Sequence, residues 1–175
     1  MQELFEKYGI KQIGYYVESI EDTAKLLHDA LGVGPFVDLG TNPPASCSFR
    51  GQEIDLLSRC ALGQLGEMQI ELIEVKSTGE DPYKEMGRYG IHHFCIWVDD
   101  VDAAVKDFSA YGIEPAMTMV SGQGLKVVYL DAREQLGHYI EVNEPLDQLA
   151  QGVKALHEKW TGDESLVDMK VLMGG

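Results

Sequence analysis

Residues 90–100 read Gly-Ile-His-His-Phe-Cys-Ile-Trp-Val-Asp-Asp: two adjacent histidines head an otherwise apolar, strand-like run. An imidazole in such a run needs a partner, because a buried polar group without one is destabilising. Two other apolar runs carry an acid out of place, Ile70-Glu71-Leu72-Ile73 and Ile140-Glu141-Val142. A fourth polar residue, Gln12, stands just before Ile13-Gly14-Tyr15-Tyr16-Val17. Gln12, Glu71, His93 and Glu141 together offer an amide oxygen, two carboxylates and an imidazole nitrogen. That mixture suits one divalent ion of Zn, Ni, Co, Mn or Fe better than calcium. Ligands spread singly over four segments form no local motif, so the fold itself has to gather them.

An internal repeat shows how. Gln12-Ile13-Gly14-Tyr15-Tyr16-Val17-Glu18-Ser19 and the helix-like stretch after it match His93-Phe94-Cys95-Ile96-Trp97-Val98-Asp99-Asp100 and its own following stretch. In each half a short apolar strand ends at valine, and a helix with alanine and lysine in matching places follows. Ser19 caps the first helix, whose face is Ala24, Leu27 and Leu31 before Gly32; Asp99 or Asp100 caps the second, with Ala104, Val105, Phe108 and Tyr111 before Gly112. Strand-like segments come next, near 35–39, 46–58 and 67–75 in the first half and near 115–120, 125–130 and 137–143 in the second. Each half therefore reads βαβββ.

The repeat makes the four polar residues equivalent in pairs, Gln12 with His93 and Glu71 with Glu141. Alternation along a strand puts His93 on one face with Cys95 and Trp97. It puts His92 on the other face, under the helix with Phe94, Ile96 and Val98, and so outside any metal site. Gln12 shares its face with Gly14 and Tyr16. If the helices cover one face of the sheet, the four candidates converge on the opposite, concave one, where Tyr16, Trp97 and Cys95 line the pocket.

The totals narrow the function classes. A net charge of −15 with four arginines, Arg50, Arg59, Arg88 and Arg133, argues against nucleic acid and anionic membranes as partners. No apolar run is long enough to span a bilayer, and the N-terminal residues do not resemble a signal peptide. Cys47, Cys60 and Cys95 form no C-x-x-C pair, which fits a reduced, cytoplasmic setting. Residues 77–90 read as the connection between the halves, and 146–160 as an added amphipathic helix with Leu149, Val153, Leu156 and Trp160 on one side.

Four segments in this order, Ile13–Thr23, Gly66–Val75, Gly90–Asp102 and Gly137–Pro145, resemble the vicinal oxygen chelate superfamily, which includes glyoxalase I, methylmalonyl-CoA epimerase and extradiol dioxygenases. The resemblance covers about residues 10–145. It implies an α+β fold in which paired βαβββ modules form a cupped mixed sheet around one divalent metal. The expected organisation is a single domain over 1–145, with modules at about 10–76 and 91–145, and a C-terminal helical extension over 146–175.

The ligand positions of the superfamily fall on Gln12, Glu71, His93 and Glu141, a set similar to that of some glyoxalase I enzymes. Gln12 and Glu71 depart from the two-histidine, one-carboxylate pattern of the dioxygenases. The resemblance implies a lyase or an isomerase/epimerase that abstracts a proton beside a metal-bound carbonyl, with Glu141 the first choice for base and Glu71 the second. The partners it implies are a small-molecule carbonyl substrate and a second copy of the chain in a homodimer, to which the apolar residues of the added helix would contribute. The alternatives are a non-catalytic protein that sequesters small molecules and a metal-dependent dioxygenase.

Overall fold

The computed structural model describes residues 2–173. The first module comprises β1 (Gln12–Tyr16), α2 (Ile20–Leu31), β2 (Phe36–Thr41), β5 (Ser58–Leu65) and β6 (Met68–Val75), and is preceded by the short helix α1 (Gln2–Tyr8). Between β2 and β5 lies a hairpin, β3 (Ser46–Phe49) and β4 (Gln52–Glu53). A connection bearing α3 (Pro82–Glu85) leads to the second module: β7 (Gly90–Trp97), α4 (Val101–Ser109), β8 (Pro115–Val120), β9 (Lys126–Ala132), α5 (Arg133–Leu136) and β10 (His138–Asn143). Helix α6 (Asp147–Lys159), β11 (Leu166–Asp168) and a 3-10 turn at Met169–Met173 complete the described chain.

The strands form one mixed sheet in the order β11-β2-β5-β6-β1-β7-β10-β9-β8-β3-β4. The modules meet at β1 and β7, which pair antiparallel, while each is parallel to the last strand of its own module, β6 or β10. This is the cupped α+β sheet of paired βαβββ modules that the repeat and the resemblance predict.

The module helices form where the sequence places them. Ser19 accepts the Asp22 amide at 3.1 Å and Asp100 the Ala103 amide at 2.9 Å, caps worth about 1 kcal/mol each. Both helices lie on the convex side: α2 buries Ile20 and Ala24 against Phe36, Ile70 and Leu72, and α4 buries Ala104 and Phe108 against Leu130, Ile140 and Val142. The predicted apolar faces were too long at their ends, since Leu31 is 59% exposed and Tyr111, beyond the end of α4, is 48% exposed. Helix α1 has no counterpart in the sequence reading. Its Leu4, Phe5 and Tyr8 pack on Phe108 and its neighbours.

Three parts of the sheet differ from expectation. Residues 46–58 are not one strand: β3 turns at Arg50-Gly51 into β4, then crosses the cup to pair with β8 of the other module. Both turn residues have positive φ, 49° and 78°, as a tight two-residue hairpin requires. Strand β5 lies later than predicted because its sequence, Ser-Arg-Cys-Ala-Leu-Gly-Gln-Leu, is too polar and glycine-containing to stand out. The third difference is the C-terminal extension. The apolar residues of α6, assigned from sequence to a partner copy, turn toward the chain itself, Val153 buried and Leu149 and Leu156 partly so. Leu149, Val153 and Leu156 pack with Val37 and Leu62, and Leu62 stands opposite Glu71 on the concave face. Helix α6 thus covers the first module's half of the cup, and β11 joins the sheet edge beside β2. Among the described residues no helix is long and apolar enough to cross a membrane.

Candidate metal centre

The four adjacent strands β6, β1, β7 and β10 carry the predicted ligands, one each. Register sets their heights. Glu71 and His93 both stand opposite Gly14, whereas Gln12 and Glu141 both stand opposite Cys95, one pleat along. One ligand atom from each of Glu71, His93 and Glu141 falls within a 4.8 Å cluster. His93 Nε2 is 3.4 Å from Glu71 Oε2 and 3.3 Å from Glu141 Oε2. This nitrogen is buried and makes no hydrogen bond among the described residues. An orphaned imidazole nitrogen facing two carboxylates is a donor set that could hold a divalent ion.

Gly14 is the floor of this arrangement. A Cβ there would lie 2.1 Å from His93 Cε1, so only glycine lets the ring lie across β1. Gln12 is also buried, and its Nε2 donates to Gln69 Oε1 at 2.7 Å. With the amide hydrogens so directed, the carbonyl oxygen is the atom Gln12 has left to offer a cation. Cys95, wholly buried, lies with its Sγ 3.3 Å from Glu141 Oε1 and 3.1 Å from Asn143 Oδ1. Tyr16 lies on the concave side against Tyr83 and Tyr89, at 5.7 and 4.8 Å between ring centroids.

His92 is where simple alternation fails. Between Gly14↔His93 and Tyr15↔Ile91 the ladder shifts by one residue, so β7 bulges at His92. A bulge turns two successive side chains toward the same face. His92 therefore lies inside the cup, not under the helix, with ring centroids 4.3 Å from Tyr83 and 5.0 Å from Tyr139. Its Nε2 is 3.2 Å from the Pro82 carbonyl oxygen and its Nδ1 is 3.1 Å from His93 Nδ1.

A carbonyl only accepts, so His92 Nε2 carries the hydrogen. Burial, with His93 beside it, pushes the His92 pKa well down and keeps the ring neutral. Its bare Nδ1 then accepts from His93 Nδ1–H, which leaves His93 Nε2 as the atom presented to the carboxylates. Burial alone would lower the His93 pKa, but Glu141 and Glu71 outweigh it and raise it. Glu141 is raised by burial first, against the opposing pull of His93, and raised further by Glu71.

Sequence reasoning missed Gln69, Tyr83, Tyr129 and Tyr139. Gln69 had a signal, since it alternates with Glu71 and Ile73 on one face of β6. The tyrosines come from three separate elements and had none.

Residues 11–129, more than half of the chain, match the family described as glyoxalase/bleomycin resistance protein/dioxygenase superfamily. The chain belongs to this superfamily. Among solved structures it is similar to a hypothetical protein from Bacillus halodurans C-125, with 24% identity, a TM-score of 0.56 and coverage of 79% of this chain and 94% of that one. It is also similar to methylmalonyl-CoA epimerase from Mycobacterium tuberculosis, with 19% identity, a TM-score of 0.55 and coverage of 82% and 91%. A variant of the Streptomyces coelicolor methylmalonyl-CoA epimerase in complex with 2-nitronate-propionyl-CoA gives 17% identity, a TM-score of 0.53 and coverage of 78% and 96%. At these identities the solved structures establish a shared superfamily fold. No curated protein matches.

Proposed function

We propose that this member of the superfamily is a divalent-metal-dependent lyase or isomerase/epimerase that moves a proton at the carbon beside a carbonyl. The observation that carries the proposal is the buried His93 Nε2, without a hydrogen bond among the described residues, between two carboxylate oxygens. Gln12, Glu71, His93 and Glu141 would hold the ion. When bound, a divalent cation supplies positive charge against the oxygen on which negative charge develops. Glu141 takes the proton and returns it. The Cys95 thiol beside Glu141 Oε1 helps fix that carboxylate, and the aromatic wall formed by Tyr16, Tyr83 and Tyr129 excludes water. Two of the structural neighbours carry the name methylmalonyl-CoA epimerase, and an epimerase falls within the proposed class, which supports the reading.

The test has two steps. Elemental analysis of protein purified without chelator should find about one equivalent of metal in the wild type and loss of metal in His93→Ala and Glu141→Ala. Once a turned-over compound is found, solvent deuterium should enter at the carbon beside its carbonyl, and Glu141→Gln should slow turnover at least 100-fold. Oxygen uptake coupled to product formation would overturn the proposal.

A further inference from the structure

The candidate ligands are largely shut off from solvent. The His93 side chain is 0% exposed, that of Glu141 9% and that of Glu71 16%. The room beside them is filled by two tyrosines. Tyr129 stands opposite Glu141 on β9, with its ring 5.0 Å from that of His93. Tyr83, on α3, places its hydroxyl 2.7 Å from that of Tyr129 and its ring against His92. A substrate that brings its carbonyl to this centre needs that room.

The segment that carries Tyr83 is lightly fastened. From Thr78 to Gly87 only Asp81, Pro82 and Tyr83 are buried, and the exposed stretches 78–80 and 87–89 bracket α3. Its bonds close mostly on the connection itself. Asp81 accepts the Lys84 amide at 2.8 Å, Met86 and Gly87 donate to the Tyr83 and Lys84 carbonyls, and Lys84 Nζ donates to the Ser77 and Gly79 carbonyls. Among the described residues one backbone atom of this stretch bonds to the sheet, the Pro82 carbonyl, which accepts from His92 Nε2 at 3.2 Å. The other polar ties to the cup are side chains: Tyr83 on Tyr129, and Glu85 on Arg50, Arg133 and the Tyr139 hydroxyl. Arg50 and Glu85 are 42% and 29% exposed, and ion pairs open to water hold weakly. Gly87, at the far end of α3, has φ 65°, where glycine turns at no steric cost. A short segment with few buried contacts opens locally while the sheet beneath it stays folded.

We propose that residues 79–87 are a lid on the metal centre, with Tyr83 filling the space that a substrate enters and Glu85 acting as the latch. What passes the lid rests on the proposed metal-dependent function, whereas the motion stands on the contacts of the segment itself. Closure also orders the donors. The Pro82 carbonyl keeps the hydrogen on His92 Nε2, so that the bare Nδ1 faces His93 Nδ1–H. Opening takes that acceptor away, and the donor set is ordered only beneath a closed lid.

The test is iodoacetamide alkylation of the folded protein, read cysteine by cysteine by peptide mass mapping. Cys60 is the reporter, because it packs in the same cluster as Tyr83 but lies on β5, outside both the lid and the hairpin. Glu85→Gln weakens the latch, and Tyr83→Phe keeps the ring while removing its bond to Tyr129. Each should speed Cys60 alkylation about threefold or more, the effect of losing one net hydrogen bond. Amide exchange in β1, β7 and β3 should stay at the wild-type rate. Unchanged alkylation in both variants overturns the lid. So does a rise matched by faster exchange in β1 and β7, which is unfolding of the sheet, or in β3, which is movement of the hairpin. In zinc-loaded protein, loss of Zn²⁺ to a chelator should quicken by the same factor as alkylation. Zinc loss that stays constant while Cys60 opens overturns the gate and spares the metal centre. Faster Cys60 alkylation in variants of a protein that binds no Zn²⁺ supports the lid and removes the metal reading.

Discussion

His92 and His93 are the same side chain set to different tasks by one extra residue in the ladder. His93 faces the carboxylates, and His92 stands behind it and accepts its Nδ1–H. Second partners of this kind are typically worth 10–100-fold in metal affinity. His92→Phe keeps the ring stack on Tyr83 but removes the acceptor, so zinc affinity measured by calorimetry should fall by about that factor. His92→Asn, whose Oδ1 can take the place of Nδ1, should bind zinc within a few fold of wild type. Equal affinity in the Phe variant would sink the relay. Gly14→Ala tests the floor beneath the ring. Its Cβ would lie 2.1 Å from His93 Cε1, so metal should be lost in elemental analysis, and overpacking should cost about 1–3 kcal/mol in urea unfolding. The sequence made His93 legible because Gln12 matches it in the repeat. His92 was misread because alternation assumes an unbroken ladder, and a bulge leaves no trace in residue types.

At the scale of elements, the two βαβββ modules could be read because each carries its own strand, cap, helix and glycine stop in the same order. The β3–β4 hairpin could not, because Cys47 and Phe49 alternate as any half-buried strand does, and alternation does not say which sheet edge accepts it. What fixes the hairpin across the cup is Arg50 at its tip. Its Nε and Nη2 donate to the two Glu85 oxygens at 2.9 and 2.8 Å, and Nη2 also donates to Asp131 at 2.5 Å. Glu85 in turn accepts from the Tyr139 hydroxyl, so hairpin, α3, β9 and β10 share one charged knot. Hydrogen bonding from Arg50 holds the Glu85 carboxyl below its usual range, and bonding chiefly from Arg133 does so for Asp131.

Groups depressed in the folded state add stability that is present above their unfolded pKa, near 4, and is lost as pH falls through the folded value. Arg50→Met should therefore lower stability by up to about 1 kcal/mol at pH 7, because the knot is partly exposed. The difference from wild type should shrink as pH falls from about 5 toward 2. Urea midpoints across that range check the sign, and a difference that widens on acidification would contradict it.

At the scale of the whole molecule, the proposed ligands come from four neighbouring strands, β6, β1, β7 and β10, which straddle the β1–β7 seam between the modules. A cation there would fasten one module to the other, and the site exists only when both are folded together. Without it, the half-buried Glu71 and the buried Glu141 face each other with a shared imidazole between them, an arrangement unfavourable for two like charges. Binding to the folded state alone stabilises it by RT ln(1 + [L]/Kd), about 2.7 kcal/mol at a free metal concentration 100 times Kd. For a chain of this length that corresponds to a rise in Tm of about 5–10 °C. The rise should appear when zinc, cobalt or nickel is added to chelator-stripped wild type, and it should vanish in His93→Ala and Glu141→Ala. The same linkage predicts slower amide hydrogen exchange in β1 and β7 on metal addition, since both strands lie in the seam. A wild-type Tm that ignores all three metals at concentrations saturating for ordinary protein sites would remove the centre as a structural staple, whereas an equal rise in the His93→Ala variant would place the binding elsewhere on this acidic chain.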